Sequence, residues 1–138
     1  MTRFVLDASV ALSWFIDRTI APYAMRVRNL LIQEGQAVVP AVWPLEIANG
    51  FVTAERRGLL SPSDTMELLQ YFDVVLRSVE IDYGPTPAHR LIGSARHFRL
   101  TAYDAAYLEL ARERHLPIAT LDRQLAAAAR QASVPLIH

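Results

Sequence analysis

Near its start the chain reads Arg3-Phe4-Val5-Leu6-Asp7, a short apolar run that ends in an acid. Such a run suits a strand buried on both faces, as in a parallel sheet. Ala8 to Phe15 then turns helical in spacing. Pro22 can open a helix at its first position, with Val27, Leu30, Leu31 and Glu34 on one face and Gly35 closing it. Ala37-Val38-Val39-Pro40 reads as a second short strand. Pro44 starts another helix, with Trp43, Ile47, Phe51 and Ala54 at core spacing and Gly58 at its end. Ser61-Pro62-Ser63-Asp64 is a helix start that leads to Leu68, Phe72, Val75 and Leu76 on one side.

The pattern repeats to the end of the chain. Val79-Glu80-Ile81-Asp82 is a weaker strand, and Gly84-Pro85 a turn. Thr86-Pro87 opens a helix to about Phe98, and Thr101 caps one that is apolar from Ala102 to Ala111 apart from Asp104 and Glu109. Pro117 to Asp122 is another strand ending in an acid. Leu125 to Ala132 is helical, and Val134 to Ile137 reads as a last short strand. Short apolar strands alternating with helices indicate an α/β fold, a central parallel sheet flanked by helices. Residues 1–138 read as one domain, without internal repeat or linker.

Composition narrows the chemistry. The chain has 138 residues, 14 bases and 14 acids, so net charge gives no argument for nucleic-acid binding, which would need a local basic patch. Every base is Arg. The absence of Cys removes disulfides, thiolate zinc sites and a thiol nucleophile together. The apolar N-terminus resembles a signal peptide, but Asp7 interrupts it and no small-residue cleavage site follows. No stretch approaches the roughly 18 apolar residues of a membrane span. A cytoplasmic protein is expected.

Four acids stand out: Asp7, Glu46, Asp104 and Asp122. Each has a structural explanation on its own. Asp7 and Asp122 are placed to cap helices, Asp104 lies three residues after Thr101, and Glu46 falls in a first helical turn that favours negative charge. Their joint placement points elsewhere. Open parallel sheets bind ligands beyond the carboxyl ends of their strands, where Asp7 and Asp122 sit and where the helices of Glu46 and Asp104 can begin. Four carboxylates meeting there would repel one another and raise each other's pKa values unless something positive lay between them. An all-oxygen site selects a hard cation, Mg²⁺ or Mn²⁺, and such ions support hydrolysis of phosphate esters.

Four segments carry a resemblance: Val5-Leu6-Asp7-Ala8-Ser9, Leu45-Glu46-Ile47-Ala48-Asn49, Thr101-Ala102-Tyr103-Asp104-Ala105-Ala106-Tyr107 and Thr120-Leu121-Asp122-Arg123-Gln124-Leu125. In their order and separations they resemble the PIN-domain family, and within it the VapC toxins of bacterial toxin–antitoxin pairs. The resemblance covers essentially the whole chain. It implies a PIN fold, an α/β/α sandwich, and an endoribonuclease that leaves 3′-hydroxyl and 5′-phosphate ends. It assigns Asp7, Glu46 and Asp104 to the main Mg²⁺ or Mn²⁺ ion, and Asp122 to a second ion or to the attacking water. Ser9 and Thr120 match positions where a hydroxyl supports the acids. It further implies a homodimer and a VapB-like antitoxin whose tail reaches the acids.

Other readings remain beside this one. An aspartyl-phosphate enzyme commonly uses a Lys, and a P-loop hydrolase needs one; this chain has none. RNA cleavage through the 2′-hydroxyl wants a positioned acid–base pair, often His, but His89, His97, His115 and His138 are scattered over different elements. A metal-dependent DNA nuclease and a non-catalytic binding module of the same fold stay open. Trp43 and Phe51 are expected in the core, and Trp14 and Phe15 in the core or a partner groove. Arg90, Arg96, Arg99 and Arg123 flank the acidic segments and suit either phosphate contact or a solvated helix face.

Overall fold

In a computed structural model, which describes residues 2–138, each of the first three strands is followed by a pair of helices and the fourth by one. The elements in chain order are β1 (Thr2–Leu6), α1 (Ala8–Ile16), α2 (Pro22–Gln33), β2 (Gly35–Pro40), α3 (Trp43–Arg56) and α4 (Pro62–Leu76). β3 (Val79–Asp82), α5 (Ala88–Phe98), α6 (Ala102–Arg114), β4 (Ile118–Ala119) and α7 (Arg123–Gln131) follow. The four strands form one parallel sheet in the order β3-β2-β1-β4. Because every strand runs the same way, all the carboxyl ends share one edge.

Burial explains why the short apolar runs become strands. Phe4, Val5 and Leu6 of β1 and Ala37, Val38 and Val39 of β2 are wholly buried, and each larger side chain gains about 1.5–3 kcal/mol by leaving water. Leu108 and Leu110 of α6, Leu125 of α7 and Val27 of α2 join the same core. Trp43 and Phe51 are buried as expected, and Trp14 is 8% exposed. Trp43 stacks on Phe72, with ring centroids 5.7 Å apart.

The helix starts follow the punctuation of the sequence. Ser61 and Asp64 form a reciprocal capping box, with hydrogen bonds of 3.0 and 2.9 Å. Gly58 closes α3 with φ of +74°, a conformation that only glycine adopts without strain. α5 and α6 instead end on Arg99 and His115 in the left-handed conformation, at φ 56° and 55°, so neither helix stop carries the glycine that marks such turns.

The C-terminus differs from the sequence expectation. Val134 to Ile137 is not a strand of the sheet; it meets β4 through a single parallel bridge between Ile118 and Leu136. Pro135 has no N–H to give a ladder, so its carbonyl accepts from the Ile118 N–H and only Ile137 donates back. β4 is correspondingly two residues long, against the expected Pro117–Asp122.

Gly35 makes the passage from α2 to β2 possible. A Cβ there would lie 2.8 Å from the Leu30 carbonyl oxygen and 2.9 Å from the Leu31 Cα, both backbone. Gly93, inside α5, would place a Cβ in open space. The two positions therefore respond oppositely to alanine. Gly35→Ala is expected to lower the unfolding free energy in urea by about 1–3 kcal/mol. Gly93→Ala is expected to raise it by up to about 1 kcal/mol through helix propensity. Equal midpoint shifts in the same direction would contradict this account of the fold.

Candidate metal centre

Asp7 follows β1 directly and occupies the N-cap position of α1, but its side chain makes no capping bond to that helix. It is 4% exposed. Two hydroxyls take the place of the helix: Ser9 Oγ and Thr120 Oγ1 each donate to Asp7 Oδ2 at 2.7 Å. Each hydroxyl also accepts a backbone N–H, from Leu121 onto Ser9 Oγ at 3.1 Å and from Asp122 onto Thr120 Oγ1 at 2.9 Å. An N–H on the acceptor side leaves each hydroxyl proton to point at the carboxylate. Oδ2 receives both hydroxyls, and Oδ1 receives neither.

Asp122, at the end of the β4 connection, does cap its helix. Its Oδ1 accepts the N–H groups of Gln124 and Leu125 at 2.8 and 3.2 Å, while Oδ2 takes no part. Glu46 lies in the first turn of α3, where Pro44 tolerates the missing N–H. The hydroxyl of the fully buried Tyr107 donates to Glu46 Oε1 at 2.6 Å. Asp104 lies in the first turn of α6, its backbone N–H bound to Thr101 Oγ1 at 3.1 Å.

The four acids feel one another. Burial pushes the Asp7 carboxyl above the usual range, the two hydroxyls oppose that rise, and the charge of Asp122 adds to it. Glu46 is raised by burial, held back by Tyr107, and raised further by Asp7 and Asp104. Asp104 is raised by burial and then by Asp122 and Asp7. Burial, followed by the bond to Glu46, keeps the Tyr107 hydroxyl protonated and therefore a donor. No Arg pairs with any of the four among the described residues.

All the donors are carboxylate oxygens, a set that fits a hard divalent cation. Among the described residues no three His, Asp or Glu side chains close up as a formed metal cluster.

Three of the four sequence-derived acids thus combine a fixed oxygen with one that is not held. Ser9 and Thr120 both touch Asp7. Tyr107 was missed as a contact, although two signals marked it: it lies three residues beyond Asp104 on one helix, and a buried Tyr hydroxyl needs a partner. α6 is less enclosed at its start than its apolar sequence suggests, for Tyr103 is 62% exposed. Leu45, Tyr103 and Leu121, each just before an acid, are all exposed.

The other candidates separate. Among the Arg residues, Arg123 lines a cleft beside Asp122. Arg90 faces Ser94 and His97 elsewhere, Arg96 lies in the last turn of α5 and Arg99 ends that helix. The four His residues do not all lie on different elements: His89 and His97 share α5, because one uninterrupted helix spans both. No His contributes to the acid centre.

The raised carboxyls make stability depend on pH in a definite direction. Asp7, Glu46 and Asp104 titrate higher in the folded chain than their ordinary values of 3.8 and 4.5. Their favourable contribution is therefore complete below those values and is lost as pH rises through the folded ones. Asp64 and Asp82, held low by backbone N–H groups, act in the opposite sense and only as pH falls below 3.8. In EDTA, the melting temperature is expected to decline above the ordinary carboxyl range, and Asp7→Asn to flatten that decline. Mn²⁺ at neutral pH is expected to restore it in the wild type. An Asp7→Asn profile parallel to wild type would show that the acids do not repel as described.

Comparison with known proteins supports the same fold. The crystal structure of PAE2754 from Pyrobaculum aerophilum superposes with a TM-score of 0.69 over 92% of this chain and 79% of that chain, at 22% sequence identity. At that identity the likeness speaks for the fold alone. No curated protein sequence matches the chain. The family described as PIN domain matches residues 4–131, a span that contains all four acids and both supporting hydroxyls. By that match the chain belongs to the PIN domain family.

Proposed function

We infer from its family membership that the chain is a nuclease. We propose that the chain is a metal-dependent endoribonuclease, the toxin of a VapBC-type pair, with Asp7, Glu46, Asp104 and Asp122 as its metal-binding and catalytic acids. The observation that carries this reading is Asp7: a buried carboxylate that makes no N-cap bond to α1, is held by two hydroxyls, and shares the carboxyl edge of the sheet with further acids, with no Arg paired to it among the described residues. A residue kept only as a cap would bind α1, as Asp122 binds α7.

A bound Mg²⁺ or Mn²⁺ would supply Lewis-acid stabilisation of phosphoryl oxygens and a more acidic water. The chain's own part is positional. Ser9 and Thr120 fix Asp7, Tyr107 fixes Glu46, and the α7 backbone fixes Asp122, so that one oxygen of each is held and the other is left for an ion or a water. The ends that the resemblance implies, a 5′-phosphate and a 3′-hydroxyl, require water to attack the phosphorus and the P–O3′ bond to break, the proton going to the leaving 3′ oxygen. The toxin assignment, the homodimer and the VapB-like antitoxin rest on the four matching sequence segments. An apolar groove lined by Trp14, Phe15, Ile32, Tyr71 and Val74 adds surface of the kind that protein partners cover.

The test is cleavage of a mixed pool of transfer, ribosomal and messenger RNA by the purified protein. Cutting is expected with Mg²⁺ or Mn²⁺, and is expected to vanish in EDTA and in Asp7→Asn. Thr120→Val, which removes one hydroxyl from Asp7, is expected to lower metal affinity or rate by about 10–100-fold. Equal cutting of DNA would reassign the substrate. Absence of both cleavage and Mn²⁺ binding in the wild type would leave a binding module with capping acids.

A further inference from the structure

Beside the acid centre lies a cleft of about 350 Å³ that shares Thr120, Leu121 and Asp122 with it. Its walls carry Arg26 from α2 and Arg123 and Arg130 from α7. All three are exposed. None has an ion-pair partner among the described residues, where Arg3, Arg112 and Arg114 do. Asp122 is the one acidic side chain in the lining. Arg123, Ala126 and Arg130 follow one another at i, i+3 and i+7, which places them along one face of α7, and the outer two lie roughly 10 Å apart along the axis.

Across the cleft, Arg26 packs over the Tyr23 ring at 5.6 Å. The Tyr23 hydroxyl donates to the Ile137 carbonyl at 2.8 Å, so the C-terminal segment that lines the cleft is tied to α2. The result is a short trough whose lining joins small and apolar residues, Ala126, Leu136 and Ile137, to three exposed arginines. Its charge is opposite to that of the centre it adjoins.

We infer that this trough holds the RNA strand next to the cut, with Arg26, Arg123 and Arg130 on its backbone phosphates. The inference rests on the ribonuclease reading and extends it. Guanidinium groups bind phosphate through paired N–H donors. A polyanion drawn to four carboxylates alone would be repelled, so a cationic track beside them supplies the attraction that the chain's zero net charge does not. An acidic peptide matches the charge as well, but continuity with Asp122 and Thr120 favours the strand being cut.

Anisotropy with a fluorescent 12-nucleotide single-stranded RNA, in EDTA and over a range of KCl, tests the trough apart from the chemistry. The double variant Arg26→Gln/Arg130→Gln is expected to bind more weakly than wild type. The slope of log affinity against log salt is expected to shrink by about 1.4, roughly 0.7 for each lost contact to a single strand. Arg90→Gln/Arg96→Gln on α5 removes the same charge away from the cleft and is expected to leave the slope unchanged. An unchanged slope in the cleft variant, or no RNA binding by wild type, overturns the trough. So does a polyglutamate of equal length that competes as well as RNA, which would assign it to an acidic peptide. Metal-dependent RNA cleavage by wild type, measured in parallel, reports on the ribonuclease reading separately.

Discussion

Two hydroxyl protons on a single carboxylate oxygen hold the candidate centre together. Ser9 and Thr120 come from opposite ends of the chain and meet at Asp7 Oδ2. Each also takes a backbone N–H from the segment after β4. The junction after β1 is thereby joined to the junction after β4, beyond the two ladder pairs that connect those strands. Asp7 can be buried because these donors replace part of its lost hydration, and β4 can stay short because side chains continue what its backbone begins. The order β3-β2-β1-β4 puts Asp7 just beyond the end of an inner strand. Asp122 arrives from one neighbouring strand and Glu46 from the helix after the other.

A shared logic governs the acids. Asp7, Glu46 and Asp122 each have one oxygen engaged by the protein, through hydroxyls, a phenol and helix N–H groups respectively. A carboxylate anchored in this way keeps its second oxygen in a fixed direction, which is what a metal or water site requires of its supports. The cost is local. Each anchor holds a charge near other like charges, so the sheet edge is where the fold stores repulsion that an ion can relieve.

Much of this was legible in the sequence because acids and hydroxyls stood where apolar runs stopped. Asp7 and Asp122 ended strand-like stretches, and the prolines and glycines between marked most helix limits. The capping readings divided on three-dimensional detail: Asp122 caps and Asp7 does not, although both follow a strand and precede a helix. Ser9, two residues after Asp7, is the local part of the difference; the rest depends on Thr120, 113 residues from Asp7. The last strand was overread because Val134, Leu136 and Ile137 look like a strand, whereas Pro135 and the short β4 leave only a bridge. Arg26 was invisible as a candidate for the same reason as Thr120's contact: only the packing of α2 near the C-terminal segment brings it beside α7.

Zero net charge conceals a strong separation of charge. The acids gather at the carboxyl edge of the sheet, and three arginines with no ion-pair partner among the described residues line the adjoining cleft. On the ribonuclease reading, this division would let two tasks be tuned apart. Arginine contacts to phosphate are exposed and fall off with monovalent salt. Half-buried carboxylates are screened much less, and a divalent ion held by them is displaced by competition for its ligands. Attraction for a polyanion and chemistry upon it would therefore answer to different ions. Moving the arginines onto the acids themselves would pair away the charge that makes a metal site possible. The separation across Asp122, the one acid that belongs to both, is what allows a neutral chain to offer both surfaces at once.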